Sequence, residues 1–378
     1  MKKHIVIFSA LYMPHLGGVE KYSQAVAAEL SKDYDVTVFC MNTEAQPSYK
    51  EEGCVRVYFL PCVPMVNGRF PFPKSGAFSI IRKVYREHPF DFAIVQCRFY
   101  LLSLWACLFL KRKGVPFIQN EHGAGDIRME NPVVNWFWHV YDRLLTELEK
   151  PCGQTFYGVS EASLRWLKHY GIEGKGVLSN SIAPRDFAEA QKDPLRWRRA
   201  HGIPDEKTVI CFTGRIMPEK GILDLLCAYD GLDRRNVLLV AAGDGDLSIV
   251  EPWRQREDIL FPGHVDFSEI PYLLSGSQVF CLPSRFIEGK PTVVIEAGAC
   301  GVPVVTTNSG GTPEVVEDGV GGILVEAGDV EAIRDALRTL VDSPDLRRQY
   351  GESLRERVMD RFTWRTVAET LHKIIEDE

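Results

Sequence analysis

Short runs of β-branched and aromatic residues alternate along this chain with stretches whose apolar positions recur every three or four residues. That is the pattern of βα units building a parallel sheet. The first unit is the plainest: residues 4–9 read as a strand, 19–30 as a helix with Tyr22, Val26 and Leu30 on one face, and 35–40 as the next strand. Further strands are expected at 55–60, 92–97, 115–120 and 155–159. A charged stretch, 182–207, then carries Pro184, Pro194 and Pro204, and the pattern starts afresh with strands at 208–213, 236–242, 258–262, 278–283 and 303–307. The fold class is α/β, with two doubly wound parallel sheets and the linker placed in the proline-bearing stretch. The domains expected are 1–184 and 185–362. Helix 363–378, with Trp364, Val367, Leu371 and Ile374 as its apolar stripe, is expected to pack back on the first.

Length agrees with two domains, since 378 residues is well beyond an ordinary domain of ~150. A hydrophobic content of 45% and a charged content of 25% exclude fibrous and wholly disordered classes. The ten cysteines form no C-x-x-C pair, which points away from zinc ribbons and disulfide frameworks and toward a reducing cytosol. Met1-Lys2-Lys3 runs directly into a short apolar stretch without a cleavage site, so no secretory leader is expected, and no apolar run reaches the ~20 residues of a spanning helix. Net charge is −7, divided as +3 over residues 1–190 and −10 over 191–378. Nucleic acid is therefore not an expected partner.

The candidate chemistry sits where strands give way to helices. Residues 11–18 follow the first strand, and Gly17 and Gly18 let backbone amides approach a ligand at the helix start. In the second half, Glu288 and Gly289 precede Pro291, which is read as the first residue of a helix whose free amides at Thr292 and Val293 can bind phosphate. Glu296 lies deeper in that helix among apolar neighbours, so its carboxylate needs partners: a diol such as a ribose, or an internal salt bridge. Gly214, Arg215, Lys220 and Gly221 follow the strand at 208–213, and two fixed cations there suit a diphosphate leaving group, with a solvated basic loop as the blander reading. Gly243 closes the next strand. Asp244 and Asp246 beside it match a D-x-D metal spacing, but turn and capping roles are favoured, and no metal is assigned. His122 lies between a strand end and two glycines, where a structural and a functional role are both open.

Together these segments resemble the retaining glycosyltransferases of family 4, over nearly the whole chain. Glu288 and Glu296 match the E-x7-E pattern within E-G-x-P-x-V-x-x-E-A, followed by C-G-x-P-V-V from Cys300; G-R-x-x-x-x-K-G from Gly214 and G-G-V-E from Gly17 agree in order and spacing. The resemblance implies the GT-B fold: two facing Rossmann-like domains with an interdomain cleft, the first binding acceptor and the second a nucleotide sugar, UDP- or GDP-linked. It further implies that Glu288 contacts donor-sugar hydroxyls, Glu296 the ribose, and Arg215 and Lys220 the diphosphate. Gly17 and Gly18 would approach phosphates and acceptor, and His122 the transferred sugar. Transfer would proceed by front-face substitution with retention, without metal or other cofactor. The chain departs from the family at Asn180-Ser181-Ile182-Ala183, where Gly and Asp are missing, and at Lys290, where an apolar residue is common.

By the same resemblance the acceptor is a glycan or a lipid-linked molecule of bacterial-type cell-surface polysaccharide synthesis, and the enzyme is cytoplasmic, with peripheral contact to the inner membrane face. Arg69 to Lys74 and the basic run from Ile80 to Arg86 are the expected contacts. The helix carrying Trp136 and Trp138 is read as core packing through Val134, Trp138, Tyr141, Leu145 and Leu148, in preference to a sugar-stacking platform. The rival functions are a nucleotide-sugar epimerase, a phosphorylase or other non-transferase enzyme on this fold, a nicotinamide-dependent oxidoreductase, and a lectin-like binder. The oxidoreductase is disfavoured because G-x-G-x-x-G is missing after the first strand.

Overall fold

A computed structural model describes residues 2–15, 17–65, 68, 70–126 and 132–377. The chain divides into two compact units, Met1–Asn180 with Trp364–Glu378, and Ser181–Thr363. Among the described residues no helix is long and apolar enough to cross a membrane.

The first unit is built on eight strands: β1 His4–Phe8, β2 Asp35–Met41, β3 Tyr49–Glu52, β4 Val55–Leu60, and, after a small hairpin of β5 Cys62–Val63 and β6 Phe72–Pro73, β7 Phe92–Gln96, β8 Phe117–Glu121, β9 Thr155–Gly158 and β10 Gly174–Val177. Their order is β10-β9-β8-β7-β1-β2-β4-β3, parallel except for the antiparallel edge strand β3. Alternation along β1 sends Ile5 and Ile7 to one face, against Tyr22, Val26, Leu30, Val367 and Leu371, and Val6 and Phe8 to the other, against Ile81, Leu102 and Ala106. Both faces are thus covered by helices, as an all-apolar parallel strand requires. Chain order reverses at β1, whose neighbours are β2 and β7, so a topological switch point lies between the carboxyl ends of β1 and β7.

The second unit repeats the plan with β11 Thr208–Thr213, β12 Val237–Ala242, β13 Ile259–Gly263, β14 Val279–Leu282, β15 Val304–Thr307 and β16 Gly322–Val325, in the order β13-β12-β11-β14-β15-β16. Its switch point lies between β11 and β14.

The stretch read as a linker is folded. Helix Pro184–Lys192 and helix Arg196–Ala200 occupy it, with Phe187 and Trp197 in the core of the second unit. Pro184 stands in the first turn, where its missing N–H costs nothing, so proline here opens a helix. The charge is absorbed as well: buried Arg198 donates to the carbonyls of Gly276 at 2.6 Å and Lys207 at 2.8 Å.

A second correction concerns helix Pro132–Glu149. Of the stripe expected to be core, Leu145 is buried and Trp138 and Tyr141 are half-buried, with the Trp138 ring 4.0 Å from that of Phe70, whereas Val134 and Leu148 at its two ends are exposed and Asp142, Thr146 and Glu149 share the inward face. Arg69 of the basic segment lies outside the described residues.

Candidate functional site

The loops that follow β11, β12 and β14 meet at the carboxyl edge of the second sheet, and backbone contacts fix their positions. Gly243 lies so close to Gly214 that a Cβ on it would stand 1.8 Å from the Gly214 carbonyl oxygen, and its φ of +148° is one that side-chain-bearing residues rarely adopt. Beyond it, the Ile216 amide donates to the Asp244 carbonyl at 2.7 Å, and the Asp246 amide to the Ile216 carbonyl at 3.1 Å. Gly221, at φ +73°, opens helix Ile222–Asp230 directly against the end of β14, where a Cβ would meet the Pro283 carbonyl oxygen at 1.8 Å. Two amides, of Arg285 and Phe286, converge on the Glu219 carbonyl at 2.9 and 3.1 Å. The loop with the cations and the loop with the first glutamate are therefore one backbone-linked body.

On that body Lys220 and Glu288 meet. The Lys220 ammonium donates to Glu288 Oε1 at 2.6 Å, and the Ser284 hydroxyl donates to the same oxygen at 2.9 Å. Oε2 of Glu288 has no partner among the described residues. The pair is only partly screened, with a quarter of the Lys220 side chain exposed. The expectation of two cations held for a diphosphate is modified here, since the Lys220 charge is shared with a carboxylate and two ammonium N–H groups remain. Arg215, on the same loop, is exposed.

The Glu288 main chain is clamped from behind. Gly311 N–H donates to the Glu288 carbonyl at 3.0 Å, and Gly310, at φ +60°, lies where a Cβ would come within 2.0 Å of that oxygen. Lys290, the departure from the family pattern, is buried, with its ammonium 3.1 Å from Glu314 and 5.0 Å from the Phe362 ring centre. Sequence reasoning missed Ser284 and the Gly310-Gly311 turn. The paired glycines were the available signal, because adjacent glycines just after a strand mark backbone close approach.

Helix Thr292–Ala299 follows. Pro291 is its N-cap in an extended conformation, one place earlier than the first helical position expected for it, and no side chain caps the start. The amides of Thr292 and Val293 thus point out of the helix without a capping group. Glu296 is 3% exposed, one turn further in. Asp246 caps the short 3-10 helix Leu247–Trp253 through Ser248 N–H at 3.0 Å, and the Ser248 hydroxyl together with that amide holds its carboxyl below the ordinary range, while exposed Asp244 lies 3.1 Å from His264 Nδ1.

The remaining predicted residues lie in the first unit, at the carboxyl edge of its own sheet. Gly17 is the N-cap of helix Gly18–Leu30, with extended backbone at φ −172°. The first turn of that helix holds buried Glu20, which accepts from His15 Nδ1 at 2.8 Å and whose Oε2 would be 2.3 Å from a Cβ on Gly17. An acidic group thus fills the space against Gly17 that had been read as open to phosphate. His122 follows β8; its Nε2 is 2.8 Å from Gln96 Oε1, and the Tyr22 ring meets it edge-on at 4.8 Å. Burial pushes the imidazole down to about 3, so the ring is neutral near pH 7, with Nε2 between Gln96 Oε1 at 2.8 Å and Asn120 Nδ2 at 3.4 Å. Before it, Glu121 is tied to buried Arg98 at 3.1 Å; Arg98 also binds Asp142 and Thr146 and lies over the Tyr170 ring.

Comparison with known proteins finds relatives along nearly the whole chain. The family model for Glycosyltransferase Family 4 matches residues 16–180, and that for Glycosyl transferases group 1 matches 194–357. The chain is 34% identical to the alpha-maltose-1-phosphate synthase of Mycolicibacterium smegmatis, over 97% of each chain. It is 26% identical to the GDP-mannose-dependent alpha-(1-6)-phosphatidylinositol monomannoside mannosyltransferase of the same organism, over 96% of each. Among solved structures, sucrose-phosphate synthase from Thermosynechococcus elongatus superposes with a TM-score of 0.80 at 19% identity, covering 100% of this chain and 99% of that one.

Proposed function

The chain belongs to the group 1 and family 4 glycosyltransferases of the GT-B fold, and on that premise we propose that it is a retaining, metal-independent hexosyltransferase whose nucleotide-sugar donor binds at the carboxyl edge of the second sheet. The observation that carries this reading is the Lys220–Glu288 contact at the switch point, directly ahead of an uncapped helix start.

The roles follow from the chemistry of each group. Glu288 Oε1 is taken by Lys220 and Ser284, so Oε2 accepts hydrogen bonds from hydroxyls of the donor sugar. Diphosphate oxygens develop charge as the glycosidic bond to phosphate breaks. The two free N–H groups of Lys220, the Arg215 guanidinium and the Thr292 and Val293 amides stabilise that charge from fixed positions. Glu296 receives the ribose hydroxyls. Gly214 and Gly243 keep the loop backbones low enough for the nucleotide to approach.

A Glu288 carboxylate held by an ammonium is a weakened nucleophile, which favours front-face displacement in which the departing phosphate oxygen takes the acceptor proton and the anomeric configuration is retained. Neutral His122, in the first unit, hydrogen-bonds a hydroxyl of the transferred sugar or the acceptor, and Gly17 and Gly18 border the acceptor. The acceptor is a glycan or lipid-linked molecule of surface polysaccharide synthesis, and the enzyme works from the cytoplasm at the inner membrane face.

The test is a thermal-shift screen against UDP- and GDP-sugars with and without EDTA, since only a ligand preferring the native state raises the melting point. A donor-specific shift that survives EDTA and disappears in Glu296→Ala and Arg215→Ala, with the fold intact, is expected. Wild-type turnover in either variant contradicts the assignment.

A further inference from the structure

Arg98 is 2% exposed, and none of the roles assigned above uses it. A cation so placed is costly unless it is fully engaged, and an apolar side chain of similar volume serves stability as well. Its engagements fall on two sides. On one, Nη1 donates to Asp142 Oδ1 and Thr146 Oγ1, both at 2.5 Å, and Nη2 to Asp142 Oδ2 at 3.2 Å, which ties it to helix Pro132–Glu149. The Tyr170 ring covers the guanidinium, its centre 3.9 Å from the guanidinium carbon. On the other side Nε lies 3.1 Å from Glu121 Oε2, and that carboxylate turns its second oxygen to the main chain: Oε1 accepts from the Gly123 amide at 2.8 Å.

His122 thus stands inside a ring closed from the Glu121 carboxylate to the Gly123 amide, and Arg98 holds the ring from outside. The turn that delivers Arg98 is strained. Cys97, between Gln96 and Arg98, has φ +58°, a value that residues with a Cβ seldom adopt. β8 keeps it there: the Cys97 amide donates to the Asn120 carbonyl at 2.9 Å, and the Cys97 carbonyl accepts from the Gln119 side chain at 3.2 Å. With the backbone so turned, Gln96 Oε1 reaches the His122 ring at 2.8 Å, and Arg98 reaches the carboxylate that closes on Gly123. Three consecutive residues therefore grip the histidine loop by its imidazole and by its main chain. Strain of this kind persists where the surroundings over-determine one geometry.

We propose that Arg98 and Glu121 are positioning residues for His122. The ion pair fixes the Glu121 carboxylate, the carboxylate fixes the Gly123 amide, and the imidazole is held where it meets a hydroxyl of the transferred sugar or the acceptor. Arg98 and Glu121 are each 2% exposed, so neither touches substrate. The proposal rests on the transferase reading for what His122 contacts. It divides the surroundings of Arg98 into a side that serves the reaction, through Glu121, and a side that packs the helix, through Asp142 and Thr146.

The test compares Arg98→Met, Glu121→Gln, the two combined, and Asp142→Asn. Glutamine presents one oxygen where two are needed, so either the Gly123 amide or Arg98 loses its acceptor. Asp142→Asn leaves Arg98 its contacts with Glu121, Thr146 and the Tyr170 ring. With the UDP- or GDP-sugar that stabilises the wild type, Arg98→Met and Glu121→Gln should each lower kcat about tenfold at unchanged donor KM, and the double variant no further. Asp142→Asn should lower the melting temperature as much as Glu121→Gln does, with kcat within about twofold of wild type. In NMR spectra of isotope-labelled histidine, with His122→Asn identifying the signals, the His122 ring nitrogens should shift in Glu121→Gln and stay in place in Asp142→Asn. Stabilisation by UDP or GDP, whose proposed site is in the second unit, should match wild type throughout. Glu121→Gln with the wild-type kcat or with unmoved His122 signals overturns the proposal. So does an Asp142→Asn that loses rate equally, because the cluster is then a support for the whole unit. If Arg98→Met does not fold, Glu121→Gln and Asp142→Asn decide by themselves. A wild type that transfers no sugar from any nucleotide counts against the transferase reading instead, and the ring signals then decide the positioning alone.

Discussion

Lys220 and Glu288, 68 residues apart in sequence, meet at 2.6 Å because the loops after β11 and β14 are joined through the Glu219 carbonyl and through Gly221 lying on Pro283. Neither residue acts alone. Lys220→Met and Glu288→Gln should each lower donor-dependent transfer about 100-fold, the size seen when one preorganised charge is removed from a reacting group. The double variant should be about as impaired as either single one. Steady-state rates of the three proteins check this; additive losses would show that the two side chains act independently.

Gly221→Ala tests the backbone junction. A Cβ there would stand 1.8 Å from the Pro283 carbonyl, at a φ that alanine rarely adopts. A destabilisation on the order of 3 kcal/mol is expected in urea unfolding. A loss below 1 kcal/mol would mean that the two loops separate readily.

His122 supplies a pH signature. Its folded value of about 3 lies below the ordinary 6.5 because burial disfavours the cation. The unfolded chain therefore takes up a proton between these limits while the native state does not, and stability falls as pH drops through that window, by at most about 1.4 kcal/mol per pH unit. His122→Asn should flatten this part of the stability curve. The wild-type rate should show no His122 limb near pH 6.5; an imidazole titrating there by NMR would refute the assignment.

Glu149 behaves oppositely. Burial raises its carboxyl well above the usual range, and Gln119 holds only one of its oxygens. Its contribution is present at acid pH and is lost as pH rises above the unfolded value of 4.5. Glu149→Gln should match wild type near pH 4.5 and melt higher at pH 8, as scanning calorimetry would read out. An unchanged difference across that range would place a charged carboxylate in the interior.

Which parts of this molecule could be read from sequence depends on how far each relies on neighbours. β1, β2 and β11 are mostly apolar runs buried on both faces, and β4 alternates buried Val55, Val57 and Phe59 with half-buried Arg56 and Tyr58, so all four stood out. β3, Tyr49–Glu52, is a polar edge strand, and β10 and β16 both begin with glycine, so none of them shows strand periodicity; pairing with a neighbour creates them. The glutamates, cations and glycines of the second unit were legible because loop chemistry is written in the residues themselves. Ser284 was not, since a serine matters only once folding aims it at Glu288. At 132–149 the stripe through Trp138, Tyr141 and Leu145 turns inward as spacing indicates, but Val134 and Leu148 at its ends are exposed, because Asp142, Thr146 and Glu149 share the inner face.

Gly214, Gly243 and Gly245 leave the loops after β11 and β12 without side chains where they touch, so main chain alone carries that join. Such a seam is indifferent to what its neighbours present. Phe286 is tied in by its amide to the Glu219 carbonyl, but its side chain and that of Ile287 are exposed just ahead of Glu288; on the proposed donor site, exchanging these two side chains should change sugar preference while the frame beneath stays put.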